Sequence, residues 1–356
     1  MKVVSVVGAR PQFIKLCPVS RAIRRLHTEL IVHTGQHYDA KMSEVFMREL
    51  EIAAPDYNLG VGSGSHGEQT ARMLTGLEQI LVKERPDVVV VFGDTNSTLA
   101  AALAASKLQI RIAHIEAGLR SHNRAMPEEI NRVLTDHVSD LLFCPTHSAV
   151  DNLAREGITK GVSQVGDVML DAAVHFGAKA DALDVLERLK LARGQYLLAT
   201  IHRASNTDAR EALATLLDTF SAIDETIVFP VHPRTRHAMT EAQLTPSANV
   251  RMIDPVGYLE MLALEKNARM VLTDSGGVQK EAFFFGIPCV TLRTETEWTE
   301  LVDAGWNRVV GLDRARILGA VKDWKPTGER PSLYGTGDSS ERIAALLGDA
   351  REGQRT

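Results

Sequence analysis

The sequence has few cysteines and no long apolar run. Its three cysteines, Cys17, Cys144 and Cys289, lie far apart among apolar neighbours, which favours core thiols in a reducing compartment over disulfides or a metal site. Residues 1–7 are too short for the apolar region of a signal peptide, and no run approaches the length of a membrane span. We therefore expect a cytoplasmic protein that has no membrane partner.

Charge and length narrow the classes further. The net charge of −5 is spread along the chain, which argues against a nucleic-acid partner but is compatible with a local basic pocket for a nucleotide. A chain of 356 residues is too long for one ordinary compact core and predicts two domains.

Several common motifs are absent as well. No G-x-G-x-x-G follows the first predicted strand, which disfavours a tightly bound dinucleotide, and without G-x-x-x-x-G-K-[ST] the chain has no P-loop. It has no G-x-S-x-G, and no cluster of side chains has metal-ligand spacing, so His232 is predicted to be a polar or substrate contact rather than a ligand. What remains are cations, acids and glycine turns at predicted strand ends.

The most informative stretch begins at Met270. Its apolar strand ends in a turn that contains Ser275, Gly276 and Gly277, and a helix follows. The N–H groups and helix dipole at such a turn suit a phosphate, and Glu281, one turn on, is placed to accept from ribose hydroxyls. The alternative is a plain strand-to-helix connection, which glycines also serve.

The first predicted strand has the same design. A buried strand over 3–7 leads through a glycine turn into a helix over 12–26, so we expect Arg10 and Lys15 at the carboxyl edge of a parallel sheet, where doubly wound folds bind ligands. Cations there suit phosphates. For Lys15 taken alone, a solvated helix face is the alternative.

Acidic residues follow the next predicted strands. Asp94 and Glu116 each come directly after a buried strand, and Glu128 stands in the first turn of a helix that begins with Pro127. Carboxylates at neighbouring strand ends can share a cleft and have their pKa values pushed apart, which acid/base catalysis requires. The alternative is that they cap the following segments or complement a helix dipole.

Strands and helices alternate through both halves of the chain. This pattern predicts an α/β protein with two Rossmann-like, doubly wound parallel-sheet domains that face a ligand cleft. We place the N-terminal domain at 1–167 and the C-terminal, nucleotide-binding domain at 168–337, with a charged helix over 181–191.

A set of motifs resembles the non-hydrolysing UDP-N-acetylglucosamine 2-epimerases. They follow the family's order over nearly the whole chain: GARPQFIK at 8–15, GDT at 93–95, EAGLR at 116–120, PEEINR at 127–132, HR at 202–203, and TDSGG at 273–277 with Glu281. The resemblance implies a glycosyltransferase-B architecture in which a C-terminal helix, within 338–356, packs back on the first domain. It also implies a homodimer, a UDP-aminosugar substrate, and catalysis with no cofactor, neither NAD nor a metal ion.

The resemblance further implies a reaction and its residues. UDP is eliminated across C1–C2 of the sugar to give 2-acetamidoglucal and is added back on the other face, and which carboxylate serves which face stays open. The implied catalytic residues are Lys15, Asp94, Glu116, Glu128 and His202. The implied UDP or substrate contacts are Arg10, Arg132, Arg203, His232, Met261, Ser275, Gly276, Gly277 and Glu281.

The chain departs from the family pattern at a few positions. Trp298 replaces an arginine used in nucleotide binding, and Met261 replaces a phenylalanine that flanks uracil. We expect UDP binding to survive both changes. The loop after the second strand has Gln36, but Asp39 stands where allosterically regulated members have a second glutamine, so weak or absent substrate allostery is predicted.

The exact substrate has competing candidates. A glycosyltransferase of the same architecture would also bind a UDP-sugar, but it would not need Glu116 or Glu128. Within the family, the first motif and Trp298 look closer to the branch that epimerises UDP-2,3-diacetamido-2,3-dideoxyglucuronate. A buried uronate needs a cation, and we expect Arg124, or failing it Arg120, to supply it; the alternative is that these arginines pair with the protein's own acids.

Overall fold

The computed structural model describes residues 1–36, 47–207 and 209–349. Contacts divide the chain into two compact units, one formed by Met1–Ala172 with the segment from Ser332 onwards, the other by Ala173–Pro331. The domain limits at 167 and 338 stay a prediction. Within the described residues, no helix is both long and apolar enough to cross a bilayer.

The first unit contains a parallel sheet of order β3-β2-β1-β4-β5-β6-β7. Its strands are β1 Lys2–Val7, β2 Thr28–His33, β3 Tyr57–Asn58, β4 Val88–Phe92, β5 Arg111–Ile115, β6 Leu141–Cys144 and β7 Val162–Gln164. Strand β4 reads Val-Val-Val-Val-Phe and is buried throughout, as expected for a parallel strand with helices on both faces. The order places the carboxyl ends of β1, β4 and β5 side by side.

Helices cover this first sheet. They are α1 Arg10–Leu26, α2 His66–Glu84, α3 Asn96–Lys107, α4 Pro127–Val138 and α5 His147–Arg155. The alanine-rich α3 begins after Thr95, whose hydroxyl accepts a hydrogen bond from the N–H of Thr98 at 3.3 Å. Its small buried side chains let α3 pack against both α2 and α4. Helix α6, Val168–Ala180, contains the limit between the two units.

The second unit contains a parallel sheet of order β10-β9-β8-β11-β12-β13. Its strands are β8 Leu197–Thr200, β9 Ile227–Pro230, β10 Val250–Ile253, β11 Met270–Thr273, β12 Cys289–Thr291 and β13 Asn307–Val309. Its helices are α7 Val185–Arg188, α8 Ala204–Thr207, α9 Arg210–Ser221, α10 Pro233–Glu241, α11 Tyr258–Asn267, α12 Gly276–Phe284, α13 Thr299–Asp303 and α14 Arg314–Asp323. The carboxyl ends of β8 and β11 are neighbours in this sheet.

The last described helix, α15 Ser339–Asp349, belongs to the first unit and packs on α1. Its first N–H groups, those of Ser339 and Ser340, donate to the carboxylate of Asp171 at 3.3 and 2.7 Å. Farther along, the carbonyl oxygen of Ala344 lies 3.0 Å from Nε2 of His27. The first unit is therefore completed by residues from the end of the chain.

Candidate active site

The turn between β1 and α1 is fixed by Gln12. Its side-chain oxygen accepts hydrogen bonds from the N–H groups of Gly8 at 2.8 Å and Ala9 at 3.0 Å. Its amide nitrogen donates to the carbonyl of Phe92 at 2.8 Å and to the hydroxyl of Thr98 at 3.0 Å. The buried side-chain amide of Gln12 thus connects this turn to the end of β4 through hydrogen bonds. Sequence reasoning missed this role, although an amide at the third position of a helix is a capping signal.

Gly8 in this turn has no room for a side chain. A Cβ atom there would lie 2.0 Å from Oγ1 of Thr34 and 2.2 Å from Oγ of Ser97. Arg10, two residues on, is exposed at the start of α1. The predicted sequence of strand, glycine turn and helix is present here, and a UDP contact through Arg10 stays a prediction.

A buried ion pair joins Lys15 of α1 to Glu116 at the end of β5, with side chains that are only 10% and 8% exposed. Gly93, after β4, has φ of 61°, and a Cβ atom on it would lie 3.0 Å from Nζ of Lys15 and 3.1 Å from Oε2 of Glu116. The structure therefore brings two predicted catalytic residues together in a tightly closed space. The alternative of a solvated helix face for Lys15 is wrong.

The backbone of Glu116 is strained. Its φ of 72° lies in the left-handed region, which residues with a side chain seldom adopt. The N–H groups of Glu116 and Ala117 both donate to the carbonyl oxygen of Phe143 at 3.1 Å, so the neighbouring strand β6 holds this conformation. Such conformations cost about 1–3 kcal/mol and cluster at functional sites. The strain fits a carboxylate that has to be held in one orientation.

Asp94, after β4, is held by α4. Its carboxylate pairs with Arg132, whose guanidinium also lies 3.0 Å from Glu129. Glu129 in turn accepts from the N–H groups of Ser121 and His122 at 2.9 Å. Burial raises the pKa of Glu129, but these hydrogen bonds and the Arg132 charge outweigh burial and leave the pKa lowered. Arg132 is buried between two carboxylates, so a ligand contact through it stays a prediction.

A second buried network centres on Asp136 of α4. His114 of β5 has its Nδ1 atom 2.7 Å from Asp136 and its Nε2 atom 2.7 Å from the carbonyl oxygen of Gly93. Arg120 bonds to Asp136 and to Glu156, both at 2.7 Å. Burial raises the pKa of Asp136, yet the charges and hydrogen bonds of His114 and Arg120 hold it below its usual value. Arg120 thus pairs with the protein's own acids, which is the alternative stated for it, and a ligand contact through Arg120 stays a prediction.

Glu128 and Arg124 differ from these buried groups. Both are exposed within the first unit, Glu128 in the first turn of α4 and Arg124 in the loop that precedes it. Among the residues that the structure describes, neither side chain forms an ion pair. Their catalytic and binding roles stay predictions, and both have the freedom to meet a ligand.

In the second unit, the turn after β11 leads directly into α12. Ser275 is the N-cap residue, and its hydroxyl accepts from the N–H of Val278 at 3.5 Å. A Cβ atom on Gly276 would lie 2.4 Å from Oε1 of Glu297. Strand, turn and helix lie where the sequence predicts them, while nucleotide contacts of Ser275, Gly276 and Gly277 stay a prediction.

Glu281 of α12 is 4% exposed and accepts a hydrogen bond from the hydroxyl of Tyr258 at 2.9 Å. A second acid, Glu265 of α11, is completely buried. Burial first, and the charge of Glu281 second, raise the pKa of Glu265 well above its usual value. Sequence reasoning missed both Tyr258 and Glu265, because their proximity to Glu281 depends on how α11 packs on α12.

His202 and Arg203 follow β8. They are held in position by hydrogen bonds to Asp274, the residue directly after β11. Their N–H groups donate to the Asp274 carboxylate at 3.1 to 3.2 Å, and the side-chain amide of Asn206 donates at 2.9 Å. Asp274 has no exposed surface, whereas the side chain of His202 is 52% exposed. Asp274 belonged to a predicted motif but had no predicted role.

A family model described as UDP-N-acetylglucosamine 2-epimerase matches residues 21–348. The chain belongs to this epimerase family. A UDP-N-acetylglucosamine 2-epimerase homolog of Methanococcus maripaludis is 53% identical over 98% of this chain and 99% of its own. The UDP-2,3-diacetamido-2,3-dideoxy-D-glucuronate 2-epimerase of Pseudomonas aeruginosa is 51% identical over 98% of this chain and 99% of its own. The predicted resemblance is confirmed, and this epimerase-family member is an enzyme.

Solved structures agree with the fold. The UDP-GlcNAc 2-epimerase of Methanocaldococcus jannaschii, crystallised with UDP-GlcNAc and UDP, matches with a TM-score of 0.89 and 44% identity, over 98% of this chain and 100% of that one. A UDP-glucosyltransferase from Polygonum tinctorium matches with a TM-score of 0.61 and 13% identity, over 99% and 93% of the two chains, which shows the fold alone. The predicted α/β class, with two Rossmann-like parallel-sheet domains of the glycosyltransferase-B type, is confirmed.

This member of the epimerase family differs from the expected pattern at Trp298. The indole is 4% exposed, and Nζ of Lys280 lies 4.0 Å from the centre of its ring, a cation–π contact. A lysine thus lies against the side chain that replaces the family's arginine. Met261 is half-buried on α11 and His232 is exposed after β9, and ligand contacts of both stay predictions.

Proposed function

We propose that this protein interconverts UDP-N-acetylglucosamine and UDP-N-acetylmannosamine and needs no acceptor. The observation that carries the proposal is the buried Lys15–Glu116 ion pair on the strained backbone of Glu116. A transferase of the same fold does not need a fixed acid/base pair of this kind. Membership of the family, and the UDP-GlcNAc bound to a relative that is 44% identical, support the same substrate class.

The proposed chemistry is elimination followed by addition, because no carbonyl at C1 makes the C2 proton acidic. A carboxylate takes the C2 proton while the C1–O bond breaks, and the electrons of the C2–H bond become the C1–C2 double bond. The electron pair of the C1–O bond leaves on a β-phosphate oxygen of UDP. Delivery of a proton to the opposite face of C2, with return of that oxygen to C1, then gives the epimer.

The carboxylates and the donors have separate tasks in this scheme. Proton transfer at C2 falls to Glu116, Asp94 and Glu128, since positioned acid/base groups of this kind contribute roughly 10²–10⁴-fold to rate. Negative charge grows on the departing diphosphate, where preorganised donors lower the barrier most. The N–H of Ser275 donates to the hydroxyl of Thr273, so the proposed donors are Arg10, His202 and the N–H groups of Gly276 and Gly277, with Glu281 accepting from the ribose.

A second candidate substrate is UDP-2,3-diacetamido-2,3-dideoxyglucuronate. It is favoured by the 51% identity to the Pseudomonas aeruginosa enzyme that is named for this substrate. A uronate carboxylate requires a cation where it is withdrawn from water. Because Arg120 is bonded to Asp136 and Glu156 and Arg124 is exposed, we assign this contact to Arg124.

Proton exchange tests the function. The purified protein is incubated in D₂O with each UDP-aminosugar and no acceptor, and the C2 proton is followed by NMR. Deuterium at C2 together with a second epimer is expected. If neither sugar exchanges its C2 proton, the epimerase proposal fails.

Arg124→Met distinguishes the two substrates. If Arg124 meets a uronate, kcat/KM falls for the diacetamido-uronate and not for UDP-N-acetylglucosamine. An equal loss on both substrates, or a wild-type enzyme that ignores the uronate, would leave UDP-N-acetylglucosamine as the substrate. Arg120→Met is a poor control, since it breaks a buried network, and exposed Arg155→Met on α5 serves better.

We also propose a cytoplasmic homodimer, as the resemblance implies. Sedimentation of the purified protein should give twice the mass of the 38.9 kDa chain. The mass of a single chain would contradict the proposal.

A further inference from the structure

Asp274 sits at the carboxyl end of β11 and has no exposed surface. Its two carboxylate oxygens receive the N–H groups of His202 and Arg203 at 3.1 to 3.2 Å and the amide of Asn206 at 2.9 Å. The amide of Asn206 also donates to the carbonyl oxygen of Leu292 at 3.1 Å. All of these partners are donors, and both carboxylate oxygens of Asp274 accept from them.

The same carboxylate meets the ring of His202. Nδ1 of His202 lies 3.3 Å from Oδ1 of Asp274, while about half of the side chain is exposed. Because a carboxylate accepts but does not donate, its negative charge at this distance favours the tautomer in which the ring proton is on Nδ1. Nε2 is then the ring atom that is left for a ligand.

We propose that Asp274 is a positioning residue that acts through His202: it holds the proton of His202 on Nδ1 and directs Nε2 to the ligand. The inference rests on the proposed function, in which His202 serves the departing diphosphate. When Nε2 is also protonated, it donates to the charged oxygen, and when it is not, it accepts a proton. A carboxylate that orients a histidine in this way is a recurrent catalytic device, and its replacement by an amide produces the wrong tautomer.

A purely structural role is the competing explanation. In that case Asp274 would only fasten the loop after β8 to the end of β11, and the choice of ring nitrogen would not matter. The two explanations differ in what Asp274→Asn should do. The asparagine keeps an oxygen for the backbone N–H groups, but its NH₂ group can donate to Nδ1 and so move the ring proton to Nε2.

The test measures the tautomer directly. ¹H–¹⁵N correlation spectra of the histidine rings, assigned with His202→Gln, should show the neutral His202 ring protonated on Nδ1 in the wild type. In Asp274→Asn the proton should move to Nε2, and kcat should fall roughly 10²-fold or more while KM and UDP affinity change little. Asn206→Ala is the matched control, because it loosens the same loop and leaves the ring contact, so it should keep the wild-type tautomer.

A double variant tests whether Asp274 acts through the ring. In a protein that already carries His202→Gln, Asp274→Asn should lower kcat little further, because both changes remove the same interaction between Asp274 and the His202 ring. A wild-type ring protonated on Nε2 would overturn the proposal even if Asp274→Asn fails to fold. So would a normal kcat in a folded Asp274→Asn protein. Failure of the proposed function looks different, because the wild type would then exchange no C2 proton while the ring spectra stay as expected.

Discussion

The carboxyl edges of the two sheets differ in the partners that surround their charged side chains. In the first unit, charged side chains pair with each other, as in the buried pair Lys15–Glu116 and the pair of buried Arg132 with half-buried Asp94. In the second unit, the buried Asp274 is surrounded mainly by backbone and amide donors, and His202 is half exposed. If the proposed function holds, the first edge supplies the groups that transfer protons, and the second supplies donors to the ligand. The comparison indicates that the two halves contribute different chemistry, although they share one architecture.

The largest expected effect comes from breaking the ion pair of the first edge. Glu116→Gln should lower turnover roughly 10²–10⁴-fold, the usual worth of a positioned acid/base group, while UDP still binds. Steady-state kinetics measures the turnover, and a titration with UDP measures its affinity. Near-normal turnover in Glu116→Gln would show that Glu116 has a structural and not a catalytic role.

Glu128→Gln separates catalysis from stability. The same roughly 10²–10⁴-fold loss of turnover is expected, but because Glu128 is exposed, the free energy of unfolding should not change. Glu129→Gln is the informative neighbour, since Glu129 is buried in hydrogen bonds and should lose stability as well. Unchanged turnover in Glu128→Gln would remove this residue from the mechanism.

Asp136→Asn should weaken the first unit in a pH-dependent way. Losing one partner of a buried charged network costs about 3 kcal/mol or more. Because the folded-state pKa of Asp136 is lowered, its contribution is complete above the unfolded value of about 4 and is lost as the pH falls through the folded value. Denaturant unfolding should therefore show a gap between wild type and variant at pH 7 that narrows below about pH 4. A gap that is constant with pH would contradict this. The control is Asp151→Asn, at a side chain that is 47% exposed.

Glu265→Gln should act in the opposite direction. The pKa of Glu265 is raised in the folded state, so the wild-type protein loses stability as the pH rises above about 4.3, by up to about 1.4 kcal/mol per pH unit until the folded pKa is reached. The glutamine has no such charge and should make the second unit more stable at pH 8 than the wild type. A variant that is less stable than the wild type at every pH would show that the acid has an essential partner.

The smallest effect is expected at Gln36. Its side-chain oxygen accepts from the N–H of Ser97 at 3.0 Å and from its hydroxyl at 2.7 Å, so the amide is engaged within the first unit. Asp39, the other residue of the allostery prediction, lies outside the described residues. Gln36→Ala should leave substrate kinetics hyperbolic, as in the wild type. Strongly sigmoidal wild-type kinetics that this change abolishes would overturn the prediction.

The succession of strands and helices along the chain and the residues at strand ends were predictable, because buried parallel strands and glycine turns are local patterns. The Lys15–Glu116 pair was not predicted, because it depends on the order of strands in the sheet, in which β1, β4 and β5 are neighbours. Pairing of Arg120 with acids of the protein was a stated alternative, but its partners were not predictable, because Asp136 and Glu156 lie 16 and 36 residues away and are brought in by α4 and α5. The left-handed backbone of Glu116 likewise depends on contacts with β6.

One helix was predicted in the wrong place. The charged segment 181–191 contains only the single turn Val185–Arg188, whereas the preceding Val168–Ala180 forms a full helix. Val168–Ala180 is apolar and buried on most sides. Its exposed positions include the apolar Val174 and Ala178, so the helical periodicity is weak and the sequence pattern there resembled a connection.

The bonds from Ser339 and Ser340 to Asp171 have a consequence for how the chain is made. During synthesis, domains commonly fold in order from the N-terminus. Here the first unit has to wait for α15, which the ribosome makes after every residue of the second unit. The N-terminal sheet can assemble early, but Asp171 and the face of α1 that receives α15 stay uncovered until α15 has been made.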